Sequence, residues 1–399
     1  ICSRRALKLS SSPSKSAISP SGNPAASKMS RLTISPIKTG ILVKGTASID
    51  PRGYPLLYVG QGDTVKSGSV KYSVISLIDS KTLYQIDGKD SFAYRKWTAF
   101  DSSALVDAGS DTLIEPGENG VLYTVKLNTS FDAGAGTISV NPEEPVRYRY
   151  KANGMGDGST NRWWGTESSM SVWRNYAFYT DNGGYLQCVD LNSMKPVWVQ
   201  DVTDDSDSSV VLEESTEDQT VYIYVGSEVD KQPGAKAKGK GTAYIRKVNG
   251  LTGKIVWEKP FTCAYSTNPG GVMSTPVLGR KGSDIDGLII YNVSKIDGSD
   301  CELVALDKNS GEERWSVPLE SNPGWTCWSS PVAVYDQAGK SYIVQCDGKG
   351  RMLLISGETH KVLDTIQIQD ATIESSPAIF GNMIVIGTRG QKVVGVRID

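Results

Sequence analysis

The stretch from Trp325 to Ile366, WTCWSSPVAVYDQAGKSYIVQCDGKGRMLLISGETHKVLDTI, decides the fold. It reads as an apolar run (SSPVAVY), a polar turn, a second run (SYIVQC), the tight turn Asp347-Gly-Lys-Gly350, a third run (RMLLIS), another polar turn and a fourth run (VLDTI). Short apolar runs separated by Gly- and Asp-rich turns predict four antiparallel strands joined by hairpins. A lone sheet of this kind leaves its apolar faces uncovered, so it needs copies of itself to pack against.

The copies are present in both directions. Downstream, SSPAIFGNMIVIGTRGQKVVGVRID (Ser375 to Asp399) repeats the first three strands and lacks the fourth. Upstream units begin at Ser274 (STPVLG), Ser208 (SSVVLEE), Ser168 (SSMSVW), Ser102 (SSALVD) and Ala47 (ASID); the unit at Ser208 carries the Lys/Gly-rich insert DKQPGAKAKGKG in one hairpin. In the unit at Ser102 the fourth strand is read at TISV, residues 137–140. Seven four-stranded units at this spacing predict an all-β chain folded as a β-propeller. An eight-bladed ring with an upstream blade missing is the alternative. The stretch 32–44, LTISPIKTGILVK, is expected to supply the missing strand and close the last blade, making 32–399 a single domain.

A second regularity lies in the turns between third and fourth strands. They read DLNSMKPVW (Asp190 to Trp198), NGLTGKIVW (Asn249 to Trp257) and DKNSGEERW (Asp307 to Trp315). These turns resemble the D-x-x-T-G-K-x-x-W docking pattern of the quinoprotein-like (PQQ-like) propeller repeats, over roughly residues 47–399. That resemblance implies a Trp in the outer strand packing against the next blade. Enzymes of the family use pyrroloquinoline quinone and calcium, and carry an adjacent Cys-Cys pair and a base Asp near a Glu/Asn calcium set. No Cys-Cys occurs in this chain. The resemblance therefore points to the non-enzymatic, BamB-like branch: a monomeric binding scaffold outside the cytoplasm or at a bacterial surface, with a protein or glycan-like ligand and no organic cofactor. A PQQ- and calcium-dependent dehydrogenase of alcohols or sugars is the alternative.

Composition narrows the choices further. The net charge is -2, yet the first forty residues carry seven Lys or Arg and no acid, which leaves the rest at -9 and argues against a nucleic-acid surface on the main body. Residues 1–31 are Ser-, Pro- and Ala-rich and read as a disordered basic tail. No apolar run approaches membrane-crossing length, and any export signal is expected upstream. The six cysteines form no C-x-x-C pair; Cys188, Cys301 and Cys346 read as small buried hydrophobes, while Cys263 and Cys327 read as loop residues able to pair. The single histidine, His360, stands in a turn where Gly253 and Gly311 stand in other copies, so it reads as a turn residue and not a general base.

Two constellations remain as candidate sites. Aligned on the first-strand Ser-Ser, the preceding residue is Asp101, Glu167, Asp207 and Glu374 in four units, so carboxylates are expected to converge at one channel mouth. They read either as a calcium or other cation site, or as caps and partners of nearby Lys and Arg. The same inter-blade loops concentrate Arg95, Trp97, Arg162, Trp163, Trp164, Tyr265, Trp325 and Trp328. Aromatic faces beside guanidinium groups suit sugar rings, peptides or a flat ligand, and they equally suit a plug that packs the blade entrances.

Overall fold

The computed structural model describes residues 29–32, 43–62, 70–150, 162–296, 301–322, 325–390 and 392–398. Seven four-stranded antiparallel sheets follow one another along the chain and form the blades of a β-propeller. Blades 1 to 6 span 48–87, 105–149, 171–201, 211–264, 277–319 and 332–367, each laid down from the first to the fourth strand in chain order. The seven-bladed expectation holds, and the eight-bladed alternative falls.

Blade 7 is built from both ends of the described chain. Ala378–Phe380, Met383–Thr388 and Lys392–Ile398 form three strands, and Met29–Leu32 pairs antiparallel with the last of them, Met29 opposite Ile398 and Leu32 opposite Gly395. The closing strand thus lies just upstream of the expected stretch 32–44, sharing only Leu32 with it; residues 1–28 and 33–42 lie outside the described residues. A four-residue run containing Ser and Arg carries too little alternation to be read as a strand.

Blade 2 corrects another expectation. Its fourth strand is Val146–Arg149, paired with Val121–Lys126, whereas Thr137–Ser139 pairs with Ser130–Asp132 as an inserted hairpin. Packing explains the choice: Val146–Arg149 brings the buried Tyr148 onto the blade, and its hydroxyl donates to Gln187 Oε1 of blade 3 at 3.1 Å. The hairpin covers the edge of the first core through Ile138.

The core lies between blades. Six clusters fill the interfaces of successive blades, from Tyr58, Val74, Leu113 and Tyr123 between blades 1 and 2 to Met352, Leu354, Ile384 and Val396 between blades 6 and 7. Because the middle strands are covered on both faces, they are buried along nearly their whole length and mostly apolar, as in Tyr185–Asp190 and Leu288–Ser294. Five blades also carry a register shift between third and fourth strands, at Val74/Ile75, Cys188/Val189, Lys247/Val248, Ala305/Leu306 and Leu354/Ile355. Repeated bulges at one position add twist at the same place in each blade.

The tryptophan turns do what the pattern implies. Trp198 of blade 3 donates to the Gly250 carbonyl of blade 4 at 2.9 Å, and Trp257 of blade 4 donates to the Lys308 carbonyl of blade 5 at 3.1 Å. Each ring lies under a left-handed glycine, Gly253 or Gly311, where an added Cβ would come within 2.7 Å of the indole. In blade 6 that position is His360, also left-handed (φ 60°), and it stacks on Trp315 with ring centroids 4.8 Å apart.

The Ser-Ser pairs have two structural jobs. In blades 2, 3, 5 and 7 the first serine ties its strand to its own blade, as Ser168 Oγ does to the Thr180 carbonyl at 2.8 Å, while Ser208 Oγ of blade 4 reaches the Ser274 carbonyl of blade 5. The second accepts from the blade before it: Thr46 N to Ser103, Ser103 N to Ser169, Ser169 N to Ser209, Thr275 N to Ser330 and Ser330 N to Ser376, all at 2.8–3.0 Å. These bonds run in two arcs, through blades 1 to 4 and through blades 5 to 7. Ser169→Ala should cost about 1 kcal/mol, since it orphans the Ser103 amide, and urea denaturation should show the loss.

The cysteine pairing does not occur. Cys263 lies in the strand Ile255–Ala264 and Cys327 in the core between blades 5 and 6; both are buried thiols outside any disulfide, as are Cys188, Cys301 and Cys346. Cys327 neighbours Cys301, and Cys263 belongs to the separate core between blades 4 and 5.

Candidate functional site

In an antiparallel blade, the entry to the first strand and the turn between second and third strands lie at the same end. Two loops per blade therefore build one rim. On the side of blades 2 to 4 this rim is acidic. Asp101, Glu167 and Asp207 enter the first strands, and Glu118, Asn182 and Glu228 each stand two residues past a second strand, after Thr112–Pro116, Tyr176–Thr180 and Thr220–Gly226.

Oxygen atoms of Asp101, Glu118 and Glu167 all lie within 4.8 Å of one another. Lys44 Nζ binds Asp101 Oδ2 at 2.7 Å. Glu118 is clamped by Arg95 Nη1 at 3.1 Å on Oε1 and by the Trp97 indole N-H at 2.5 Å on Oε2, while Asn182 Nδ2 donates to Glu167 Oε1 at 2.7 Å. Asp205 and Asp207 extend the group through the charge coupling of each to Glu167, and Glu228 joins through Asp207 and Asp205.

Burial and mutual repulsion act together on these acids. Burial first, then the charges of Glu167 and Asp101, push Glu118 up to about 10. Burial also raises Asp207, Asp205 and Glu228 well above the usual carboxylate range, with their acidic neighbours adding to it, and it raises Asp101 against the pull of Lys44. Glu115, fully buried beneath them, accepts from Ser102 Oγ at 2.8 Å and is likewise raised. Next to this group Asp181, buried and accepting from Tyr185 N and Gln187 Nε2, is pushed up to about 7 by its burial.

The aromatic candidates separate into four environments. Arg95 and Trp97 are the clamp on Glu118, with the guanidinium 5.3 Å from the indole centre. Arg162, Trp163 and Trp164 form a 3-10 turn at the entry to blade 3; Trp164 is 6% exposed and meets Tyr94 edge-on at 4.5 Å, and with Trp163 it lines a small cavity with Asp181 and Gln187. Tyr265 donates its hydroxyl to Asp230 Oδ1 at 2.9 Å. Trp325 and Trp328, at the entry to blade 6, are instead 41% and 37% exposed, and Arg389 of blade 7 lies 5.2 Å over the Trp325 ring. Glu374 sits in this second group, paired with Arg389 at 2.7 Å.

The first-strand alignment expected four carboxylates to converge; the structure brings Asp101, Glu167 and Asp207 together and sets Glu374 apart, paired with Arg389 beside the exposed tryptophans. The alignment missed Glu118, Asn182, Asp205 and Glu228. A signal for three of them was present: an acid or amide recurs two residues after the second strand in blades 2, 3 and 4, where blades 1, 6 and 7 carry Gly62, Gly348 and Gly390.

Blades docked through Trp turns, serine-linked first strands and loop-built rims define a seven-bladed β-propeller. No family model and no curated protein sequence matches the chain. Among solved structures it is similar to BamB from Moraxella catarrhalis, with a TM-score of 0.53 and 14% identity over 91% of this chain and 87% of that one. The likeness is one of fold. No helix among the described residues is long and apolar enough to cross a membrane.

Proposed function

We propose that this chain is a non-catalytic scaffold, working outside the cytoplasm, that holds a protein partner on the rim of blades 6 and 7. The observation that supports this reading is the pair Trp325 and Trp328, left exposed beside Arg389 on loops whose counterparts in blades 2 and 3 are packed or clamped. Two indoles and a guanidinium at one place are the composition of an interface anchor. Location and partner class draw on the resemblance of the docking turns to the non-enzymatic propellers.

A photo-crosslinker placed at Arg389 should give discrete protein adducts in the native extract, and Trp325→Ala with Trp328→Ala should remove them while moving the unfolding free energy by no more than about 1 kcal/mol. Adducts that survive both substitutions would place the contact elsewhere. Selective binding on a glycan array without protein adducts would replace the protein partner by a sugar. Adding pyrroloquinoline quinone and calcium should yield neither a bound chromophore nor dye reduction with alcohols or sugars; either one would restore the dehydrogenase reading.

A further inference from the structure

We infer that the acidic arc of blades 2 to 4 is a binding site for a hard divalent cation of the calcium type, with Asp101, Glu118 and Glu167 as its carboxylate ligands and Asp205 and Asp207 beside them. Three carboxylates from three separate loops are brought together by the ring, one oxygen of each within 4.8 Å of the others. Calcium-oxygen bonds of about 2.4 Å allow two ligands of one ion to stand up to about 4.8 Å apart, so oxygens this close can share a single ion.

A second observation is independent of that clustering. Three buried oxygens in the arc have no hydrogen-bond partner: Asp101 Oδ1, Asn182 Oδ1 and Asp205 Oδ1. The Asp101 side chain is 6% exposed, Asn182 3% and Asp205 7%. Every one of these orphans is an acceptor, so each has room for a donor or a cation. None of the protein's own cations hydrogen-bonds these three oxygens. Lys44 binds the other oxygen of Asp101 and lends its charge to Glu118 and Glu167 as well, one positive charge among several acids, and Arg95 is committed to Glu118. Lys231 donates to the Gly183 carbonyl, while the Asp204 carboxylate is taken up by the amides of Asp230, Lys231 and Gln232 at 2.8–3.0 Å.

Removing one partner from a set of buried charges, or never supplying it, is costly, and a bound cation offsets that cost. The ligands are also held in place: Trp97 and Arg95 orient Glu118, and Asn182 orients Glu167, as outer partners orient carboxylates in metal sites.

The test uses the full chain stripped with EDTA. Calcium titrated in a calorimeter should give one saturable site and raise the Tm. Terbium should bind in its place and emit on excitation of tryptophan, because the Trp97 indole touches Glu118; calcium should quench that emission and magnesium should do so far less. Asp101→Asn and Glu167→Gln should each weaken calcium binding at least tenfold. Without metal, both should unfold at or above the parent's Tm, since each removes one of several repelling charges. Trp97→Phe should dim terbium emission and leave a calcium heat. If a ligand variant fails to fold, Asp205→Asn carries the same comparison. No calcium heat and no terbium emission in the parent chain would overturn the assignment, as would unchanged affinity in both ligand variants.

Discussion

Trp257→Ala lowers the free energy of unfolding by about 3 kcal/mol, the lower end for removing a packed tryptophan. Trp257 joins blades 4 and 5 in two ways, its indole N-H reaching the Lys308 carbonyl and its ring packing beneath Gly311, and within blade 4 it lies 6.1 Å from the ring of Tyr224. Alanine leaves the Lys308 carbonyl with Lys247 Nζ and the Tyr224 hydroxyl and opens a void at the blade junction. Phenylalanine refills most of that void without the indole N-H, so Trp257→Phe should recover more than half of the loss. Urea denaturation of the two variants checks this, and a loss below about 1 kcal/mol for alanine would mean that the blades are held chiefly by the interblade cores. Gly311→Ala meets the same indole from the other side at 2.7 Å and should mimic the defect.

A second expected result concerns pH. In EDTA the fold is more stable at pH 5 than at pH 8. Asp181, raised to about 7 by burial, binds its proton more tightly folded than unfolded, so its contribution is fully present below an unfolded pKa of about 4 and is lost as pH rises through 7. That group alone is worth on the order of 3 kcal/mol between pH 5 and pH 8. Glu118, raised to about 10, and the raised Asp205, Asp207 and Glu228 act with the same sign. Lys231 opposes it weakly at Asp181.

Carboxylates held low work in the other direction at more acid pH. Asp307, held at about 2 chiefly by its bond from Arg314, loses its contribution only as pH falls below about 4. Stability is therefore expected to peak near pH 5. Thermal unfolding from pH 4 to 9, with Asp181→Asn flattening the alkaline limb, measures it; a curve that rises from pH 5 to 8 would show that these acids are charged and compensated in the folded chain.

Much of this architecture could be read before any coordinates, for a physical reason particular to repeats. Each blade meets the same neighbour in the same way, so one motif recurs: Ser-Ser at the first strand, a doubly covered apolar run, and a turn ending in Trp. Repetition turned a weak local signal at Asn249 to Trp257 into a strong one. Readings failed where a segment is used once. Met29–Leu32 is a strand because an empty slot beside Lys392–Ile398 accepts it, and Val146–Arg149 displaces Thr137–Ser139 because Tyr148 finds a partner in the next blade.

The sites divide along the same line. The chain alone settled that carboxylates would stand at successive first-strand entries and that five of its nine tryptophans would lie in loops. Only the closed ring decided which of them meet. Asp101, Glu118 and Glu167 come from points up to 66 residues apart on three loops, and their few-ångström spacing follows from how far each blade turns against the next. Burial was decided there too: the curvature that clamps Trp97 onto Glu118 and packs Trp164 under Tyr94 leaves Trp325 and Trp328 in solvent. Side-chain type is written residue by residue, whereas proximity and exposure belong to surfaces that exist only once the blades have docked.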